Sequence, residues 1–296
     1  MIELLAFPGM EKLAGGIAAK IRCNVQYVDL HHFPDGETLV TIPPIPEEAE
    51  VAIIATLLGP DQLALPLRFA AQTLRQMGSS KVGLIAPYLA YMRQDKRFLP
   101  GQAVSAPLFA DFLSDSFDWL VTVDPHLHRI GALSEVFKIP TSRVATAPLI
   151  ANWISTNVSD AIVLGPDSES QQWVAEVARL ANKPYEVLQK QRSGDRSVKI
   201  SVPENPELFT RQPVILDDIA SSGRTMIEAI RRLRDMQAKA PIGVLIHAIF
   251  AGDAYADILA AGALSIVTTD TIPHESNAIS VAGQIADAIG SISQSA

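Results

Sequence analysis

The stretch Val214-Ile-Leu-Asp-Asp-Ile-Ala-Ser-Ser-Gly-Arg-Thr225 sets an apolar run, two adjacent acids, small hydroxyl residues and a glycine directly before an amphipathic segment. A strand that ends in acids and turns into a helix puts the turn in the crevice beyond the strand's C-terminal end, where α/β proteins bind ligands. Backbone N–H groups from Ser221 to Thr225 would there face an anion at the positive end of the helix, with the hydroxyls of Ser221, Ser222 and Thr225 as further donors. Asp217 and Asp218 accept hydrogen bonds only, which suits a vicinal diol. A phosphate joined to a vicinal diol describes ribose 5-phosphate. The alternative is that the acids and serines only cap the helix.

Other stretches carry polar groups in patterns that suit nucleotides and phosphates. In Phe33-Pro-Asp-Gly-Glu37, Phe33 offers a flat face for a base, and Asp35 and Glu37 offer acceptors for an amino group or ribose hydroxyls; Pro-Asp-Gly is equally good turn chemistry. Tyr91-Met-Arg-Gln-Asp-Lys-Arg97 crowds three cations around Asp95, a positive spot suited to a polyphosphate, although Lys96 and Arg97 also read as a solvated run. Asp124-Pro-His-Leu-His128 follows an apolar run; His126 is an odd ligand for magnesium on chemistry alone, since that ion prefers oxygen. His31, His32 and His128 read as surface or turn residues. No helical segment carries a histidine pair at ligand spacing, so a zinc enzyme is not expected. Lys190-Gln-Arg-Ser-Gly-Asp-Arg196 links two strand-like runs, either as a mobile flap carrying cations or as a charged hairpin tip.

The elements that must position these residues alternate along the chain. Short β-rich apolar runs at 51–55, 82–86, 119–123, 161–164, 214–216, 242–249 and 264–267 predict parallel sheets. Helices are predicted between them over 61–77, 106–114, 171–181, 225–236 and 254–261, with Met226, Ile230 and Leu233 showing the apolar spacing. Residues 138–144 lack either period and read as a linker. The boundary is therefore expected near 143, dividing domains 1–143 and 144–296, with a last helix that can pack back on the first. The strand-then-turn pattern of Ile85-Ala-Pro-Tyr88 recurs in Val163-Leu-Gly-Pro-Asp167 and suggests duplicated domains. The terminal Ser291-Ile-Ser-Gln-Ser-Ala296 reads as frayed.

Totals narrow the class further. A chain of 296 residues exceeds the usual single-domain size, and 48% hydrophobic with 6% aromatic residues fits aliphatic sheets covered by helices. With Cys23 as the only cysteine, neither an internal disulfide nor a cysteine-based zinc site can form. The N-terminal MIELLAFPGM lacks a basic region and meets Pro8 and Gly9 early, and no apolar run approaches membrane length, so a soluble, cytoplasmic protein with no membrane partner is expected. A formal net charge of −8 argues against nucleic acid as a partner.

The stretches around Phe33, Arg93, His126, Asp167, Lys190 and Asp217 stand in the order found in the ribose-phosphate diphosphokinases, the PRPP synthetases, and the chain resembles that family over nearly its whole length. The acid and serine turn by itself is similar to the phosphoribosyl-diphosphate turn of the type I phosphoribosyltransferase fold. The compact length and Ser221 resemble the short archaeal-type members. The resemblance implies an α/β protein of two tandem phosphoribosyltransferase-like (type I) domains, each a mainly parallel sheet flanked by helices, with ATP on the first and ribose 5-phosphate on the second. It assigns Phe33, Asp35, Glu37, Arg93, Gln94, Asp95 and His126 to ATP, and Asp217, Asp218, Ser221, Ser222, Gly223, Arg224 and Thr225 to ribose 5-phosphate. His126 and Asp167 are assigned to Mg2+, and Lys190 and Arg192 to catalysis. A homo-oligomer, dimer or larger, is also implied. The chain departs from the family where Ser168, Glu169 and Ser170 replace paired glycines, where Arg224 replaces a glycine and where Trp173 replaces an arginine. Two alternatives stay open: a catalytically weak nucleotide-binding regulatory homologue, and a phosphoribosyltransferase.

Overall fold

The computed structural model describes residues 2–127, 129–167, 170–193, 197–201 and 205–293, with only the backbone considered for 189–193 and 197–201. The chain divides into two compact units, residues 1–145 with 281–296, and residues 146–280.

The first unit contains β1 (Ile2–Ala6), α1 (Glu11–Ile21), β2 (Val25–Tyr27), β3 (Asp29–His32), β4 (Thr38–Thr41), β5 (Glu50–Ile54), α2 (Pro60–Gln76), β6 (Lys81–Ala86), α3 (Ser105–Ser114), β7 (Trp119–Val123) and β8 (Thr141–Val144). Its parallel sheet runs β2-β1-β5-β6-β7-β8, and β3 and β4 form a separate antiparallel hairpin. The central strands are buried along almost their whole length, as parallel strands covered on both faces must be, and this is why they read as unbroken aliphatic runs. Trp119 is fully buried; a Cβ on Gly83, its pairing partner, would lie 2.0 Å from the indole, so only glycine lets the two strands carry that ring.

The second unit contains α4 (Ala147–Asn157), β9 (Ala161–Gly165), α5 (Gln171–Ala181), β10 (Tyr185–Val187), β11 (Gln189–Ser193), β12 (Ser197–Ser201), α6 (Glu207–Thr210), β13 (Gln212–Ser221), α7 (Arg224–Asp235), β14 (Ile242–Phe250), α8 (Ala254–Ala260), β15 (Ser265–Thr269) and β16 (Asn277–Ile279). Its parallel sheet runs β10-β9-β13-β14-β15-β16, with the antiparallel β11–β12 hairpin beside it. This order repeats that of the first unit strand for strand, including a hairpin after the second strand. The final helix, α9 (Ala282–Ile292), packs on α1, β7 and β8 of the first unit, the counterpart of α4 against α5 in the second. The duplication suggested by the strand-then-turn pattern is thus a repeat of topology.

Two expectations are corrected. Residues 138–144 are not a featureless linker, because Thr141–Val144 pairs in parallel with β7 at the sheet edge. The segment is too short and polar to show a period, since an edge strand is half exposed. The strand before the serine turn does not end at Leu216 either. It continues to Ser221 because β14 runs beside it as far as Phe250, with an irregularity between Ile219 and Ser221. No helix among the described residues is long and apolar enough to cross a membrane.

Candidate active site

In the second unit the acids lie in the second half of β13. Val214 and Ile215 pair with Val163 and Leu164 of β9, while Asp217 pairs with Leu245 of β14. Asp217 and Asp218 are therefore held side by side within β13, each partly buried. The amide of Asp218 donates to Asp217 Oδ1 at 2.9 Å, and the amide of Ile219 donates to Asp218 Oδ1 at 2.8 Å. Burial holds the Asp217 carboxyl well above the usual carboxylate range, reinforced by the charge of Asp218 and, further down, that of Asp167. Asp167, two residues past the end of β9, thus belongs to the same acidic neighbourhood. Its carbonyl accepts from the Ser170 hydroxyl at 2.7 Å, closing the turn into α5. Ser168 and Glu169 lie outside the described residues.

Beyond the acids the backbone is made to turn. Ser221 has φ 49° and Gly223 has φ 72°, a left-handed conformation that glycine adopts without steric cost. A Cβ on Gly223 would also approach Ile258 of α8 to 3.1 Å, so the position is confined by packing as well. The Gly223 amide donates to the Ala220 carbonyl at 2.8 Å, which spends one of the N–H groups expected to face an anion. Arg224, Thr225 and Met226 remain as the first-turn residues of α7, whose amides an α-helix cannot bond internally. Met226, Ala229, Ile230 and Leu233 bury the opposite face and anchor the helix. Ser222 and Arg224 are exposed, and Thr225 is half-buried. The backbone of β12 lies against α7. Lys190 stands opposite Ile200 and Arg192 opposite Val198 in that hairpin; their side chains, and residues 194–196, lie outside the described set.

In the first unit the polar stretches occupy two regions. Phe33 to Glu37 closes the β3–β4 hairpin: the Phe33 amide donates to the Glu37 carbonyl at 2.9 Å, and the Glu37 amide donates to Asp35 Oδ1 at 3.1 Å. This is the turn that Pro-Asp-Gly predicts, and it leaves Phe33 exposed at 41% with an edge-on contact to His31. The other region lies at the ends of β6 and β7, strands separated from β2 by β1 and β5. Arg93, Gln94 and Asp95 thus stand after β6 and His126 after the neighbouring β7, while Phe33, Asp35 and Glu37 stand in the separate β3–β4 hairpin.

The β6 and β7 loops are joined by an ion pair that sequence reasoning missed. Asp95 Oδ1 accepts from Arg129 Nη1 at 2.8 Å and Asp95 Oδ2 accepts from the Arg129 amide at 3.1 Å, with the Asp95 side chain fully buried. Asp95 is thus committed to the protein, while Arg93 beside it is exposed. Gln94 accepts from the Ser105 hydroxyl at 2.6 Å. Arg97 donates to the Gln102 carbonyl at 2.9 Å, and Lys96 lies 4.9 Å over the Phe98 ring, so the two cations read as ambiguous have local partners. Asp124, at φ 31°, is held by Arg143 at 3.0 Å from Nε and 2.7 Å from Nη2, which fixes the backbone entering Pro125 and half-buried His126. His128 lies outside the described residues. Arg129 and Arg143 carried no motif of their own; the only signal was unassigned cations following the Asp124 stretch.

These features coincide with known proteins. Residues 2–116 match the family model of the N-terminal domain of ribose phosphate pyrophosphokinase, and residues 132–281 match that of the phosphoribosyl transferase domain. A ribose-phosphate pyrophosphokinase of Methanopyrus kandleri is 32% identical over 99% of this chain and 100% of its own length. One of Halobacterium salinarum is 33% identical over 97% of this chain and 100% of its own. A crystal structure of phosphoribosylpyrophosphate synthetase from Mycobacterium smegmatis superposes with a TM-score of 0.84 at 22% identity, covering 100% of this chain and 99% of that one, a likeness of fold.

Proposed function

The chain belongs to the ribose-phosphate pyrophosphokinase family, and on that premise we propose that it transfers the diphosphoryl group of ATP to ribose 5-phosphate, giving phosphoribosyl diphosphate and AMP. The observation that carries this reading is the turn after β13, where paired acids lead through a left-handed glycine into the N-terminus of α7.

In this reading the phosphate of ribose 5-phosphate lies at the first-turn amides of α7, with Ser221, Ser222, Arg224 and Thr225 as further donors and Gly223 shaping the turn. Asp217 and Asp218 accept from the 2- and 3-hydroxyls and so orient the anomeric oxygen toward the β-phosphorus. Attack there expels AMP. On the nucleotide side, Phe33 stacks on adenine, and Asp35 and Glu37 accept from the adenosine. Arg93, Gln94 and His126 contact the phosphates, and Asp95 orders their loop through Arg129. A homo-oligomer, dimer or larger, belongs to the same reading. Lys190 and Arg192 close on the reacting phosphates as charge redistributes, which makes their contribution chiefly one to the transition state.

Magnesium fits the donor set. Among the described residues no three histidine, cysteine or acidic side chains form a ready cage, and magnesium is commonly held by one or two protein groups together with substrate phosphates. Asp167 and His126 are the groups proposed to face it, and the crowded negative charge around Asp217 favours a nearby cation. When bound, the ion neutralises phosphate charge. A cytoplasmic location belongs to the same reading.

The test is direct. Purified protein with Mg-ATP and ribose 5-phosphate is expected to produce AMP and phosphoribosyl diphosphate in equal amounts. ADP as the nucleotide product means ordinary kinase chemistry and ends the reading. Nucleotide binding without turnover favours the regulatory homologue.

A further inference from the structure

Arg93 is carried by a turn whose first residue is strained. Tyr91 has φ 66°, a left-handed conformation that a bulky side chain rarely adopts. Arg22 and Asn182 share it as the C-caps of α1 and α5, where the end of a helix calls for it. Tyr91 caps no helix. It stands between β6 and α3, and its carbonyl accepts from the Gln94 amide at 3.0 Å, closing a turn around Met92 and Arg93. Met92 is 1% exposed within the apolar core of the first unit, while the neighbouring Arg93 is exposed.

Groups from α2 and α3 hold this turn at both ends. The Tyr91 hydroxyl donates to the Asp61 carboxylate in the first turn of α2. The Tyr91 ring packs on Phe109 of α3, with 4.8 Å between centroids. At the other end, the Gln94 carbonyl accepts from the Ala106 amide at 3.2 Å and the Gln94 side-chain oxygen accepts from the Ser105 hydroxyl at 2.6 Å, so donors at the N-terminus of α3 are satisfied by the turn. An acid in the first turn of a helix has an ordinary role in meeting the helix dipole. That role does not require a phenol from another loop. The bond to Asp61, followed by slight burial and the charge of Asp61, raises the Tyr91 phenol above its ordinary value, so the hydroxyl keeps its proton and remains a donor.

We propose that Tyr91 and Asp61 are positioning residues that set Arg93 for the nucleotide. The inference rests on the reading above, in which Arg93 meets ATP. The hydroxyl bond and the ring contact offset the cost of the left-handed backbone at Tyr91, and strain of this kind persists only where the surroundings over-determine it. That backbone, with Met92 sunk in the core and Gln94 fastened to α3, fixes the direction in which the Arg93 side chain leaves the loop. A turn that pivots loses the contact to the nucleotide even though the arginine is unchanged. The link is separate from that of Asp95 with Arg129, which ties the same loop to the segment after β7. Tyr91 acts where the chain enters the turn, and Asp95 acts beyond its exit.

Calorimetric titration of the full chain with Mg-ATP and, separately, with ribose 5-phosphate tests it. Tyr91→Phe keeps the ring on Phe109 and removes only the hydroxyl; it is expected to weaken ATP by roughly three- to tenfold, the worth of one exposed hydrogen bond, and to leave ribose 5-phosphate unchanged. Asp61→Ala is expected to match it. Asp61→Asn still accepts the phenol hydrogen and is expected to recover most of that loss. The decisive measurement is Tyr91→Phe in the Arg93→Ala background. A residue that acts through Arg93 then has nothing left to position, so the second change is expected to add less than about twofold. Additive losses overturn the proposal, and so does an equal loss for both substrates, which marks a general effect on the fold. Asp61→Asn no better than Asp61→Ala overturns the part given to Asp61. Wild-type affinity in Tyr91→Phe while Arg93→Ala weakens ATP overturns this inference alone, whereas wild-type affinity in Arg93→Ala overturns the reading of Arg93 beneath it.

Discussion

Replacing Asp95 by alanine isolates the link between the β6 and β7 loops. The buried carboxylate accepts the Arg129 amide at 3.1 Å and the Arg129 guanidinium at 2.8 Å, while the Arg129 side chain is 47% exposed. A hydrogen bond to a charged group contributes about 1.5–3 kcal/mol, and the ion pair with a half-exposed arginine, screened by water, adds no more than about 1 kcal/mol. The link therefore contributes roughly 1.5–4 kcal/mol to the order of the segment that carries Arg93, Gln94 and His126. If ATP binds only the ordered segment, the cost of ordering moves into binding, and at about 1.4 kcal/mol per tenfold the lower end alone raises KM for ATP by about 10-fold. Ribose 5-phosphate, bound by the second unit in the proposed reading, should keep its KM. Asp95→Asn should do little better, because one amide hydrogen face then opposes a donor. The assay is initial-rate kinetics with each substrate varied at saturation of the other. Unchanged KM for ATP, or equal rises for both substrates, would refute the reasoning.

Phe33→Ala should cost little stability, since the ring is already 41% exposed, yet raise the ATP requirement by the worth of a base–aromatic stack, about 1–3 kcal/mol; thermal melts and ATP titration separate the two, and an unchanged KM returns Phe33 to the turn. Asp218→Asn should weaken ribose 5-phosphate far more than ATP, because the amide places a donor against a diol hydroxyl, and a matched loss for both substrates counts against the assignment. Lys190→Ala should lower kcat by roughly 10²–10³-fold with KM nearly unchanged, and less so for Lys190→Arg; near-normal turnover leaves the hairpin a surface feature. Asp217 holds its proton to higher pH when folded than when unfolded, so the folded chain loses stability as pH rises from the ordinary carboxyl range through the raised value. Asp217→Asn should therefore raise Tm at neutral pH and flatten its pH dependence; a Tm profile identical to that of the wild type disproves the buried acid pair as the cause.

What the amino-acid sequence determined by itself is the local chemistry. Unbroken aliphatic runs marked the buried parallel strands, and 119–123 and 171–181 match the structural elements residue for residue. Pro-Asp-Gly marked the β3–β4 turn, and the acids, serines and glycine before Thr225 marked a strand-to-helix turn because such turns depend on backbone preferences of neighbouring residues. Family resemblance, not periodicity, carried the assignment of roles. Tertiary structure decided what rests on pairs far apart in the chain. It matched Asp95 with Arg129 rather than with the cations beside it, set Arg143 on Asp124, drew Thr141–Val144 into the sheet and packed α9 on the first unit. Local propensity is written in a few adjacent residues, whereas the partner of a buried carboxylate or the exposure of a helix face depends on which distant segments the sheet order brings beside it.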